Sequence, residues 1–191
     1  KILSGPTPVD WVDVLSKHLE IDLHIKRDDL AGPSFGGNKA RQLEYYFGEA
    51  LSQDADTILI TGAVQSNFTR TAVAVARSLG MGAVVQFEDR VKDGSARYRN
   101  SGNVLLSRLM GAEIEFYPEG EHEAGADVAL DHKAALLRSS GRRPYIIHLS
   151  EAYPPLGALG YVDAAMELLE HNDDFDLFVV AAGSGATHAG L

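Results

Sequence analysis

The chain has 191 residues, 45% of them hydrophobic and 23% charged, which is globular composition for one large or two small domains and excludes a disordered segment. Its formal net charge of −10 excludes nucleic acid and anionic membrane as principal partners. The chain has no cysteine, which excludes disulfides and thiolate metal sites; with no signal-peptide pattern and no apolar run of membrane length, a cytoplasmic protein is expected.

Strand and helix patterns alternate along the chain. Residues 10–18 read as a short helix. Residues 21–28 alternate as a strand, with Ile21, Leu23 and Ile25 on one face and Asp22, His24 and Lys26 on the other. Helix follows at Asn38–Ser52, with Leu43, Tyr46, Phe47 and Ala50 on one stripe, then a buried-type strand at 57–61. The helix at 66–79 ends at Gly80, a good stop signal. Strand at 83–88, exposed loop at 89–100, helix at 102–110, strand at Glu113–Tyr117, helix at 124–140, strand at 145–149 and helix at 156–170 complete the series. A strand at 175–182, a loop at 183–187 and the first turn of a helix from His188 close the chain; a helix so short is not stable alone, so a further C-terminal part is expected. The alternation predicts an α/β fold of parallel strands joined by helical crossovers, whose ligands bind beyond the carboxyl ends of strands.

Lys39 stands out. In Gly36-Gly37-Asn38-Lys39 a glycine pair leads straight into a helix, placing a primary amine where the helix dipole disfavours the ammonium form. A neutral, positioned lysine can form a Schiff base with an aldehyde cofactor; the same run also fits a surface lysine after an ordinary turn. In the second loop, Gly183-Ser184-Gly185-Ala186-Thr187, glycines bring backbone N–H groups close to an anion and Thr187 adds a hydroxyl, which suits a phosphate monoester. His188 stands where the dinucleotide fingerprint needs glycine, and a plain strand-to-helix turn fits equally. Gln65, Ser66 and Asn67 lie at another strand end, where they can hold a ligand or simply cap the next helix. Seven histidines are scattered without ligand spacing, so no metal site is expected. Arg27, Asp28 and Asp29 read as a salt-bridged strand end, and Trp11, Tyr45, Tyr46 and Phe47 as core or interface packing residues.

The three pieces together are what pyridoxal 5'-phosphate requires. The chain resembles the D-cysteine desulfhydrase and 1-aminocyclopropane-1-carboxylate deaminase family, within the fold-type II, tryptophan-synthase-β-like class of pyridoxal-phosphate enzymes. The resemblance rests on Ile25-Lys26-Arg27-Asp28-Asp29-Leu30, Gly36-Gly37-Asn38-Lys39-Ala40-Arg41, Gly62-Ala63-Val64-Gln65-Ser66-Asn67, Gly157-Ala158-Leu159-Gly160-Tyr161 and the run from Gly183 to Gly190, in order along essentially the whole chain.

The resemblance implies two doubly wound, mostly parallel sheets. Residues 1–41 and 150–191 would belong to a large cofactor domain, incomplete here, and 42–149 to a small α/β domain. Lys39 would carry the cofactor, Asn67 would bond its phenolic oxygen, and Gly183, Ser184, Gly185, Ala186 and Thr187 would hold its phosphate. Ser66 would be the nucleophile or proton-transfer group, and Gln65, Ser66, Asn67 and Phe68 would surround the substrate. The group facing the pyridine nitrogen and a substrate tyrosine would lie beyond Leu191.

The implied reaction is α,β-elimination on a small β-substituted amino acid, with D-cysteine giving pyruvate, ammonia and sulfide and cysteate a further candidate; Lys39, or alternatively Ser66, would be the base. The alternative is 1-aminocyclopropane-1-carboxylate deamination, opening the ring to 2-oxobutanoate and ammonia. An alternative of another class is a non-catalytic phosphate-ligand-binding α/β protein. A homodimer is implied by the family. Two departures bear on substrate. Phe68 stands where relatives often carry histidine or glutamine, although its backbone N–H could serve a carboxylate. His148-Leu149-Ser150-Glu151-Ala152-Tyr153 replaces a Gly-Gly-Ser run, and Ser150-Glu151 followed by Pro155-Leu156-Gly157 leans toward the deaminase, whereas Gly183-Ser184-Gly185 leans toward the desulfhydrase and is given more weight.

Overall fold

The computed structural model describes residues 1–120, 122–171 and 174–191. In chain order these form β1 (Val9–Trp11), α1 (Asp13–Leu19), β2 (His24–Lys26), α2 (Asn38–Ser52), β3 (Thr57–Ala63), α3 (Asn67–Ser78), β4 (Gly82–Glu88), α4 (Ala96–Asn100), α5 (Gly102–Leu109), β5 (Glu113–Tyr117), α6 (Glu123–Ser139), β6 (Pro144–Ile147), α7 (Leu159–Leu169) and α8 (Ala186–Gly190). Single 3-10 turns lie at Asp28–Leu30 and Leu156–Ala158.

The architecture follows from the run Ile58-Leu59-Ile60. Apolar side chains on both faces of a strand call for cover on both faces, which a parallel sheet between helices provides. β3 is central in a four-stranded parallel sheet of order β5-β4-β3-β6, with Ile58 opposite Ala83 and Tyr145. Ile58 and Ile60 share one buried cluster with Val85 and Phe87 of β4, Leu43 and Phe47 of α2, and Phe68, Ala72 and Val75 of α3. Leu59 and Val84 face the other way, beneath Leu130 and Ala134 of α6. Each such fully buried large side chain contributes roughly 1.5–3 kcal/mol. Because the four strands are parallel, their carboxyl ends share one edge, and residues 64–67, Asp89 and His148 emerge there.

Outside the sheet, the N-terminal segment is tied to α2 and α7 through one buried guanidinium. Arg41 is fully buried. Its Nε donates to Asp28 Oδ2 at 3.0 Å, its Nη1 to Glu167 Oε1 at 2.9 Å, and its Nη2 to Thr7 Oγ1, Asp28 Oδ1 and Glu167 Oε2 at 2.8–2.9 Å. Lys26 Nζ donates to Glu167 Oε2 and to the Thr7 carbonyl, both at 2.6 Å, and the Tyr161 hydroxyl donates to Asp28 Oδ2 at 2.7 Å. Two cations meet two carboxylates with nearly every donor used, the condition under which buried charge is tolerated. The expected salt-bridged strand end is therefore divided. Arg27 pairs with Asp10 and Asp29 at the surface, while Asp28 turns inward.

Burial alone would raise the carboxyl pKa of Glu167, but hydrogen bonds and charge from Arg41 and Lys26 hold it down to about 2. A depressed carboxyl pKa contributes stability above its unfolded value of 4.5, and that stability is lost as pH falls toward 2. Acid titration of stability, followed by urea midpoints, is therefore expected to be steep between those limits, and Glu167→Gln is expected to flatten it. An equal slope in the variant would assign the acid sensitivity to other carboxylates.

The sequence reading needs four corrections. The helix expected from residue 10 begins at Asp13, because Val9–Trp11 pairs antiparallel with His24–Lys26. That pairing reduces the strand expected over 21–28 to three residues, and Ile21 and Ile25 are 53% and 42% exposed because no described element covers that face of the ribbon. The loop expected over 89–100 includes α4, whose cap is Ser95 Oγ accepting from Tyr98 N. The strand expected over 175–182 has no ladder partner among the described residues, and Leu177 and Val179 are 78% and 90% exposed. Local β-propensity does not make a strand without a neighbour to receive its backbone hydrogen bonds. Residues 41 and 42 both lie within α2. Trp11 is exposed, whereas Phe47 is core.

Candidate active site

α2 begins immediately after Gly36 and Gly37. A side chain at Gly36 would meet the Asp29 carbonyl oxygen at 2.3 Å, so only glycine lets the chain turn here into the helix. Lys39 thus sits in the first turn of α2, half-buried, as the Gly-Gly-Asn-Lys run predicts. Burial lowers its pKa from 10.5, favouring the neutral amine. Its Nζ lies 3.4 Å from Gln42 Oε1 and 5.7 Å from the centre of the Phe68 ring. No carboxylate among the described residues pairs with it, so nothing offsets the burial.

Gln42, one helical turn beyond Lys39, extends the line. Its Nε2 donates to Thr187 Oγ1 at 3.1 Å, and Asn38 Nδ2 donates to the same oxygen at 2.9 Å. A hydroxyl that accepts two hydrogen bonds keeps its own hydrogen for an acceptor elsewhere. These contacts seat the 183–187 loop on the start of α2 and bring two of the three sequence motifs together. Gly185 has φ 86° and only open space where a Cβ would lie. The amide N–H groups of Ser184, Gly185, Ala186 and Thr187 meet no acceptor among the described residues. An unengaged row of donors beside a free hydroxyl hydrogen and an amine whose pKa burial lowers fits a phosphorylated aldehyde, whose anion needs donors and whose carbonyl needs a neutral nucleophile.

The third motif enters from the carboxyl end of β3. Ser66 is the N-cap of α3, its Oγ accepting from Phe68 N at 3.2 Å and Thr69 N at 3.3 Å. Capping and site roles are compatible, because the hydroxyl hydrogen stays free. The Phe68 N–H expected for a substrate carboxylate is already given to Ser66. The Phe68 ring packs edge-on against Tyr46, with centroids 6.2 Å apart, and forms an apolar wall toward Lys39.

The Gln65 side chain is engaged by α4 and the start of α5. Its Nε2 donates to the carbonyls of Tyr98 and Ser101, and its Oε1 accepts from Asn103 N. Asn67 is exposed, but its Oδ1 accepts from Arg70 Nη1 and Asn103 Nδ2, both at 2.9 Å. Motif reading missed Gln42, Arg70 and Asn103. For the first two a signal exists, since each stands three residues after a motif residue and so shares its helix face. Asn103 has none.

At the carboxyl end of β6, His148 stacks on Tyr153 with ring centroids 3.6 Å apart, and its Nδ1 lies 3.2 Å from Asp127 Oδ1. Among the described residues no cluster could hold a metal ion, and no helix is long and apolar enough to cross a membrane.

A family model described as pyridoxal-phosphate dependent enzyme matches residues 2–191. A D-cysteine desulfhydrase of Klebsiella pneumoniae is 38% identical over 194 residues, covering 100% of this chain and 58% of its own. A 1-aminocyclopropane-1-carboxylate deaminase of Mesorhizobium japonicum is also 38% identical, over 98% of this chain and 57% of its own. The crystal structure of an ACC deaminase homologue superposes with TM-score 0.86 at 38% identity, over 100% of this chain and 56% of that one. The chain thus spans rather more than half the length of the curated relatives it matches.

Proposed function

The chain belongs to the pyridoxal-phosphate dependent enzyme family, and from that premise we propose that the protein is a lyase that eliminates the β-substituent of a small amino acid, with D-cysteine as the representative substrate. The observation that carries the reading is the Lys39 amine, half-buried with no carboxylate paired to it among the described residues and joined through Gln42 to the Thr187 loop. Lys39 would attach the cofactor, the loop from Gly183 to Thr187 would hold its phosphate, and Asn67 would donate to its ring oxygen. When bound, pyridoxal phosphate supplies an electron-withdrawing ring that stabilises negative charge at the substrate's α-carbon.

The chain's own groups then divide the work. Lys39 would take the α-proton, a transfer favoured because burial lowers the pKa of its amine. The Cα–H electron pair becomes the Cα–Cβ double bond as the Cβ–S bond breaks, and sulfur leaves as sulfide. Water then converts the released 2-aminoacrylate to pyruvate and ammonia. The Ser66 hydroxyl has a hydrogen to donate to substrate, and Phe68 excludes water from the lysine side. Residues 1–41 and 150–191 form the larger domain in this reading and 42–149 the smaller, a division supported by the sheet lying wholly within the second range. A cytoplasmic location and a homodimer belong to the same proposal.

The equal identity to a deaminase supports a second reading, ring opening of 1-aminocyclopropane-1-carboxylate. Incubating the full-length, cofactor-loaded protein with each substrate separates the two. Pyruvate with sulfide from D-cysteine is expected. 2-Oxobutanoate as the main product would move the assignment to the deaminase. Neither product, with no cofactor absorption, would leave a phosphate-ligand-binding α/β protein.

A further inference from the structure

Arg70 is 8% exposed, yet all its partners are neutral. Its Nη1 donates to Asn67 Oδ1 and Asn103 Oδ1 at 2.9 Å, and its Nη2 donates to the Ser34 carbonyl at 3.0 Å. The guanidinium also lies 5.3 Å from the Phe35 ring. No described carboxylate pairs with it. A buried cation without a counter-charge is costly, so a purely structural reading leaves its presence unexplained.

The hydrogen-bond directions along this line are forced. A guanidinium can only donate, so the Asn67 amide must present its oxygen to Arg70. At the far end the Gln65 carbonyl can only accept, and Asn103 Nδ2 donates to it at 2.8 Å. That fixes Asn103 with its oxygen toward Arg70 and its amide hydrogens toward Gln65 and Asn67 Oδ1. Both ends of the chain of bonds agree on one orientation of Asn67. Its oxygen is held by two donors, and its Nδ2 meets no acceptor among the described residues on an exposed side chain.

We propose that Arg70, with Asn103, is a positioning residue that locks the Asn67 amide so that only its N–H groups face the cofactor. The inference rests on the reading of Lys39 and Asn67 given above. An unlocked amide could rotate and present an acceptor to an oxygen that carries negative charge, and would repel it.

The test is a double-mutant cycle on pyridoxal-phosphate binding by the full-length protein, read from its visible absorption, among wild type, Asn67→Ala, Arg70→Met and the double variant. In the wild-type background, Arg70→Met is expected to weaken binding about tenfold or more, as loss of a charge-assisted bond does, and to reproduce the band shift of Asn67→Ala. In the Asn67→Ala background the same substitution is expected to add little. Arg70→Lys, which keeps a charged donor, should recover part of the affinity. Equal weakening in both backgrounds, or no weakening and no band shift, would overturn the proposal. Should Arg70→Met fail to fold, the more exposed Asn103→Ala carries the same expectation through the same cycle. A wild-type protein without any borohydride-reducible band would overturn the reading of Lys39, and this inference with it; an intact band with an additive cycle overturns this inference alone.

Discussion

Lys39→Ala is expected to abolish the borohydride-reducible absorption of the cofactor-loaded protein and to lower turnover by roughly 10³-fold, the loss that accompanies removal of a positioned base. The expectation follows from what surrounds the amine. Its neighbours are the Gln42 oxygen and the Phe68 ring, and burial draws its pKa below 10.5. A lysine in that setting gives up its proton more readily than a surface lysine does. Lys39→Arg is the sharper control. Guanidinium keeps much of the volume but remains protonated, so it neither attaches the cofactor nor accepts a proton. Both variants should still bind pyridoxal phosphate through the Thr187 loop, more weakly and reversibly. A reducible band surviving in Lys39→Ala would assign the attachment to another lysine and remove the central premise of the proposed function.

Much of this site was legible in the sequence because its pieces are local. The Gly36-Gly37 turn, the Ser66 cap and the glycine turn before Thr187 are each specified by a few adjacent residues, and each recurs in the structure at the expected place. The sheet was legible for a related reason, since Ile58-Leu59-Ile60 is apolar on both faces and therefore central. What could not be read are couplings across the chain. Thr187 accepts hydrogen bonds from residues 149 and 145 positions earlier, and Arg41 meets Glu167 across 126. No local pattern encodes such pairs. Residues 175–182 fail in the opposite direction, because their composition states a strand preference that only a neighbouring strand can satisfy.

Arg41→Ala is expected to destabilise the protein by about 3–5 kcal/mol, the range for removing one partner of a buried charge network. The reason is specific to the arrangement. Without the guanidinium, Asp28 and Glu167 face each other with Lys26 as the remaining cation, and the five hydrogen bonds that Arg41 makes to them and to Thr7 are lost together. Arg41→Lys should recover little of the loss, since a single ammonium cannot reproduce a planar fork with two carboxylates. The consequence reaches the site through geometry. At about 100° per residue, Lys39 and Arg41 lie on nearly opposite faces of α2. The network therefore grips one side of the helix while the amine is offered from the other, and loosening the grip frees the first turn to shift relative to the Thr187 loop. Urea unfolding should show a lower midpoint with unchanged slope, accompanied by weaker pyridoxal-phosphate binding. A change in stability under about 1 kcal/mol would mean that water replaces the guanidinium at little cost, and that α2 is held instead by the packing of Leu43 and Phe47 against the sheet.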